Sequence, residues 1–101
     1  MEHLTFSFPS EPFTGDAAAP VMAGVVGSGN LEVLVERGEP GAVKVEVATS
    51  AKGFGATWEA VLSDLAAQFA VGGLHFSIND HAATPAVVAL RLRQALELFV
   101  K

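Results

Sequence analysis

The sequence of 101 residues predicts a two-layer α+β fold: a mainly antiparallel sheet of about five strands with two helices on one face. Three observations predict it. Five short stretches alternate apolar and mixed residues with a period of two. Two longer stretches space their apolar residues three and four apart. Each strand-like stretch has one apolar face only, which suits a sheet covered on one side.

Leu4, Phe6 and Phe8 alternate with His3, Thr5 and Ser7 in the first strand, which Pro9 ends. Residues 9–20 hold three prolines, a glycine and the run Ala17-Ala18-Ala19, and read as an irregular connection. Val21, Ala23 and Val25 begin the second strand. The turn Gly27-Ser28-Gly29-Asn30 leads tightly into the third, with Leu31, Val33 and Val35 on one face and Glu32, Leu34 and Glu36 on the other. Arg37-Gly38-Glu39-Pro40-Gly41 is a second turn. The fourth strand then points Val43, Val45 and Val47 inward, Lys44 and Glu46 outward. Strands two to four are expected to form a meander. That would set Glu36 opposite Lys44, an exposed pair worth at most about 1 kcal/mol.

Lys52-Gly53-Phe54-Gly55 breaks the strand pattern. Thr57 is a plausible helix N-cap, and Trp58, Val61, Leu62, Leu65 and Phe69 follow as one apolar stripe. Gly72-Gly73 should stop that helix. Leu74, Phe76 and Ile78 make a fifth strand, with His75, Ser77 and Asn79 outward. Thr84 can cap the last helix and Pro85 fits its first position. Val88, Leu92, Ala95, Leu96 and Phe99 line its buried face; Arg91, Arg93, Glu97 and Lys101 lie mostly off it. No repeat, linker or composition break appears, so residues 1–101 read as a single domain.

Composition excludes several functions. Half of the residues are hydrophobic and only 17% are charged, which excludes a disordered chain. The formal net charge of -5 offers no basic stripe to replace the counterions of nucleic acid. No apolar run approaches the roughly 18 residues of a membrane span. Met1-Glu2-His3 does not open a signal peptide. The expectation is a cytoplasmic protein that engages neither membrane nor nucleic acid. There is no cysteine, so any thiol chemistry must be imported on a cofactor.

Ser28 is the residue with most chemical promise. Its glycine neighbours bear no side chains to crowd the hydroxyl, so a modifying enzyme could reach it. Gly-Ser-Gly-Asn is also ordinary turn composition, chosen for its dihedrals. It is no phosphate-cradling loop, since no lysine follows and no helix begins there. His75, Asp80 and His81 lack the spacing of a zinc site. Ser28, His81 and Asp80 make a poor triad, because adjacent Asp and His cannot easily aim at one another across one imidazole. Neither a metal nor a catalytic residue is therefore assigned. The segment Asn79-Asp80-His81-Ala82-Ala83-Thr84-Pro85 reads as a loop entering a helix N-terminus, a capping segment or a docking surface. Trp58, Phe69 and Phe99 are core residues, whereas Phe54, between two glycines, is the aromatic suited to an exposed contact.

Three stretches carry a family resemblance over nearly the whole chain: Leu4-Thr5-Phe6-Ser7-Phe8-Pro9, Gly24-Val25-Val26-Gly27-Ser28-Gly29-Asn30-Leu31-Glu32-Val33-Leu34, and Ala83-Thr84-Pro85 with Val87-Val88 and Leu90-Arg91-Leu92. The chain resembles the acyl carrier (delta) subunit of biotin-independent malonate decarboxylase. The resemblance implies that Ser28 carries a phosphopantetheine-type group, 2'-(5''-phosphoribosyl)-3'-dephospho-CoA, through a phosphodiester. Gly27 and Gly29 would keep the site open, and Asn30 would help close the turn. It further implies a non-catalytic subunit whose partners are a prosthetic-group transferase, an acyltransferase subunit and a two-subunit decarboxylase. The acyltransferase would exchange acetyl for malonyl on the imported thiol. The thioester carbonyl would then take up the carbanion charge left by loss of carbon dioxide, as an enolate. Two departures stand out. Asn30 replaces the aspartate expected after Gly-Ser-Gly, and Asp80-His81-Ala82-Ala83 replaces an aromatic-plus-glycine pattern before Thr-Pro. The alternatives are the acyl carrier of a related lyase of citrate lyase type, a structural or interaction subunit with an unmodified turn, and an independent hydrolase.

Overall fold

The computed structural model describes residues 1–15 and 19–99. Ala17 and Ala18 of the expected connection and Lys101 of the last helix lie outside the described residues. The elements are β1 (Glu2–Pro9), β2 (Val21–Gly24), β3 (Asn30–Arg37), β4 (Ala42–Thr49), α1 (Gly55–Gln68), β5 (Leu74–His81) and α2 (Pro85–Phe99). Their kinds and order agree with the reading of the sequence, and the fold is α+β.

The strands form one sheet in the order β1-β4-β5-β3-β2. Three pairings are antiparallel and the fourth, β4 with β5, is parallel. The expected meander is therefore wrong in one respect. β2 and β3 pair, but β5 inserts between β3 and β4. The physical reason is burial. Leu74, Phe76 and Ile78 are at most 2% exposed and want apolar neighbours on both sides, which the valines of β3 and β4 supply. A parallel β4–β5 pairing needs a long crossover, and the segment holding α1 provides it.

The turn between β3 and β4 arches over the start of β5. Gly38 donates its N–H to the Gly73 carbonyl at 2.8 Å, and Gly73 donates to Ala42 at 2.9 Å. Two strand spacings are about 10 Å, a gap that four residues can bridge. Glu36 and Lys44 consequently do not face each other; both stand opposite His75. His75 lies between two carboxylates, with Nδ1 3.4 Å from Glu36 Oε1 and Nε2 3.6 Å from Glu46 Oε2.

The register aligns the core. One row runs Phe6, Val45, Phe76, Val35, Val21 across the five strands, and the next runs Leu4, Val47, Ile78, Val33, Ala23. Trp58, Leu62, Leu65 and Ala66 of α1, and Val88, Leu92, Ala95, Leu96 and Phe99 of α2, complete one apolar cluster with these rows. Each fully buried Val, Leu or Phe contributes on the order of 2 kcal/mol. Among the described residues no helix is long and apolar enough to cross a membrane.

Both ends of α1 differ from expectation. It begins at Gly55, not after Thr57: Phe54 is the N-cap, and its carbonyl accepts the Trp58 N–H at 2.9 Å without any side-chain cap. It ends at Gln68, before Gly72-Gly73, because Phe69 turns extended. Phe69 thus packs on the core from outside the helix. Ser10 explains the early stop. Its Oγ donates toward the carbonyls of Ala66 (2.9 Å) and Phe69 (3.0 Å) and accepts from the Val71 N–H (3.2 Å). The start of the expected irregular connection is likewise pinned. Glu11 and Phe13 bond to Gly72, and the Phe13 ring packs against Phe99, tilted by 49° with centroids 5.5 Å apart. Thr84 does cap α2, its Oγ1 accepting from the Val87 N–H at 3.4 Å.

Candidate functional site

Gly24 shapes the approach to Ser28. Its φ is +85°, and a Cβ there would lie 2.1 Å from the Leu31 carbonyl oxygen of the neighbouring strand. Only glycine lets β2 close so tightly on β3. The same residue turns the chain out of the sheet, so β2 stops there. Val25, expected in the strand, is in the loop instead. Val25 and Val26 are 61% and 54% exposed and flank the serine on its N-terminal side.

The turn itself is closed by the Asn30 N–H, which donates to the Gly27 carbonyl at 3.0 Å. Ser28 is exposed at its tip. No hydrogen bond holds its hydroxyl among the described residues. A Cβ built on Gly27 or Gly29 would meet nothing within 4 Å, so open space surrounds the serine on both sides. The glycines therefore contribute access, and Gly29, at φ +71°, also contributes its dihedral.

The tip is free but its base is fixed. Gly29 donates to the His81 carbonyl at 2.7 Å, which ties the turn to the end of β5. Asn30 Oδ1 accepts from the Leu31 N–H at 2.8 Å and from Arg91 Nε at 3.1 Å. Arg91 Nη1 also donates to Gln94 Oε1 at 2.8 Å. The structure thus joins Asn30 to a cation on α2 that sequence reasoning placed simply off the apolar face. Their separation of 61 residues leaves no local signal for it. Asn30 is neutral, so the carbonyl that steers the guanidinium does not neutralise it.

Asp80 is the second residue the sequence misplaces. β5 runs to His81, so Asn79, Asp80 and His81 are strand and not loop. Asp80 is 2% exposed on the helix side. Its Oδ2 accepts from Thr49 Oγ1 at 2.7 Å and its Oδ1 from the Ala83 N–H at 3.1 Å. Successive strand residues face opposite sides, so Asp80 and His81 do not address each other and no triad with Ser28 assembles. Among the described residues no group of His, Asp or Glu is placed to hold a metal ion. Phe54 is 52% exposed, while Trp58 and Phe99 are buried as expected.

The arrangement offers a reachable, unbonded hydroxyl on a turn whose base is tied to β5 and whose closing residue meets the Arg91 guanidinium. Residues 18–99 match the family described as malonate decarboxylase delta subunit (MdcD). The malonate decarboxylase acyl carrier protein of Burkholderia cepacia is 54% identical over 95 residues, covering 94% of this chain and 87% of the relative. That of Acinetobacter calcoaceticus is 53% identical over 100 residues, covering 98% and 97%. A chain in the crystal structure of a Pseudomonas malonate decarboxylase hetero-tetramer in complex with malonate superposes with a TM-score of 0.87. It is 38% identical, over 98% of this chain and 99% of that one. With identity of this order sustained from end to end and the same fold beneath it, the chain belongs to the malonate decarboxylase delta subunit family.

Proposed function

We propose that residues 1–101 are one carrier domain, the acyl carrier subunit of a cytoplasmic malonate decarboxylase, and that Ser28 is where its prosthetic group is attached. The observation that carries this reading is the exposed Ser28 hydroxyl, unbonded and flanked by open space at Gly27 and Gly29. The residues present fit a phosphodiester-linked group. A phosphate on Ser28 Oγ would stand in solvent, at the tip of a turn whose closing residue, Asn30, holds the Arg91 guanidinium. A cation so placed favours a nearby anion.

The group proposed is 2'-(5''-phosphoribosyl)-3'-dephospho-CoA, which supplies the thiol that this cysteine-free chain lacks and on which acetyl or malonyl rides as a thioester. The chain's own residues then hold and present. The bond from Gly29 to His81 and the contact of Asn30 with Arg91 keep the base of the arm still. Tethering raises the local concentration of the cargo at each partner site. Catalysis falls to partner subunits, an acyltransferase and a two-subunit decarboxylase, after a prosthetic-group transferase has loaded Ser28. Val25 and Val26, exposed beside the serine, are the surface such partners would meet first.

Intact mass tests the reading. The wild-type chain, produced with the modifying enzymes, should carry one discrete adduct that Ser28→Ala lacks, and the variant should not support decarboxylation in the reconstituted complex. A bare wild-type chain in a working complex would refute the proposal, as would an unchanged adduct on Ser28→Ala.

A further inference from the structure

One cavity of about 280 Å³ opens where the N-termini of α1 and α2 meet the ends of β4 and β5. Ala51, Phe54, Trp58, Val61, Ala83 and Val88 make its apolar walls, and Asp80 is the one charged residue lining it. The volume falls just short of the roughly 300–1,000 Å³ usual for small-molecule sites, which suits the short end of an arm better than a whole metabolite.

The cavity lies beside the Ser28 turn. Gly29 is bonded to His81, and the next two residues, Ala82 and Ala83, line the cavity. Leu31, at the foot of the turn, pairs with Asp80. β3, which leaves the serine turn, and β5, whose end lines the cavity, are thus neighbouring strands about 5 Å apart. Ala82 takes a left-handed φ of 60° as the chain turns from β5 to form this rim.

We propose that this cavity is the resting site for the acyl end of the chain's own prosthetic arm, and that it admits a neutral acetyl thioester while excluding a malonyl one. The inference rests on the reading of Ser28 given above. A malonyl group ends in a carboxylate. Inside, it would lose hydration and find no Lys, Arg or His in the lining to replace it. Asp80 already places a carboxylate in the lining, where it takes the Ala83 N–H just ahead of α2, and it would repel a second one. Acetyl carries no charge and needs only apolar walls. The carrier then shelters the thioester it must keep between cycles and leaves the group due for decarboxylation in solvent.

The test uses holo-protein loaded with ¹³C-acetyl or ¹³C-malonyl, each confirmed by intact mass. The acetyl methyl should show nuclear Overhauser contacts to the Trp58 ring and the Val88 methyls, and the malonyl methylene none. Trp58 is the sole tryptophan, which makes its ring signals unambiguous. Hydroxylamine should cleave the acetyl thioester at least about threefold more slowly in the wild type than in Ala51→Leu, the retardation given by a site occupied two-thirds of the time. Malonyl cleavage should be the same in both. Should Ala51→Leu fail to fold, the Overhauser contacts alone decide. An acetyl methyl without protein contacts, on a chain whose mass proves it loaded, overturns the resting site and leaves the carrier reading intact. Equal contacts from both acyl groups overturn the selectivity. A wild-type chain that never acquires the adduct overturns both.

Discussion

Replacing Asp80 with alanine should destabilise the fold by about 2–3 kcal/mol. The carboxylate is 2% exposed and accepts two hydrogen bonds, from Thr49 Oγ1 at 2.7 Å and from the Ala83 N–H at 3.1 Å. Hydrogen bonds to a charged group contribute about 1.5–3 kcal/mol each, so the gross loss is roughly 3–6 kcal/mol. Part of it returns. The buried charge no longer has to be desolvated, and the Thr49 hydroxyl keeps its contacts with Ala51. Asp80→Asn keeps an acceptor for Ala83 and the same shape, and should cost no more than about 1 kcal/mol. Urea titrations followed by far-ultraviolet circular dichroism would measure both. For a chain of this size the alanine variant should also melt on the order of 10 °C lower. Asp80→Ala within about 0.5 kcal/mol of the wild type would refute the argument from burial. Equal losses for the two variants would shift the stabilisation from the hydrogen bonds to the negative charge of the carboxylate itself.

Further outcomes follow from the geometry. Ser28→Ala should leave stability within about 0.5 kcal/mol of the wild type, since the hydroxyl is exposed and unbonded; a denaturation curve checks it. Gly24→Ala should cost about 2 kcal/mol or more, because the left-handed backbone and the Leu31 oxygen both resist a Cβ. Gly27→Ala, with nothing near its Cβ, should cost well under about 1 kcal/mol, and paired melting curves would show the contrast. Arg91→Ala should lose about 1 kcal/mol with the Asn30 contact and slow transfer of the prosthetic group to Ser28, followed as adduct mass against time. Ser10→Ala removes a tertiary cap from α1 and should cost about 1–2 kcal/mol by the same titration, with increased amide exchange near Phe69.

Periodicity determined much of this protein. The alternation in each strand and the three-and-four spacing in each helix fixed which faces are apolar, and hence the two layers. Gly-Ser-Gly fixed an open turn, because glycines have no side chain to crowd the serine. The pattern even held a signal left unread. Leu74, Phe76, Ile78 continued one step reaches Asp80, and Val43, Val45, Val47 continued one step reaches Thr49, the two polar residues that meet in the core. What only the tertiary structure decided were relations between distant residues: β5 entering between β3 and β4, Ser10 ending α1, Arg91 reaching Asn30. Local sequence sets the conformation and face of a segment, whereas the partner it chooses depends on how all the apolar faces can be covered at once.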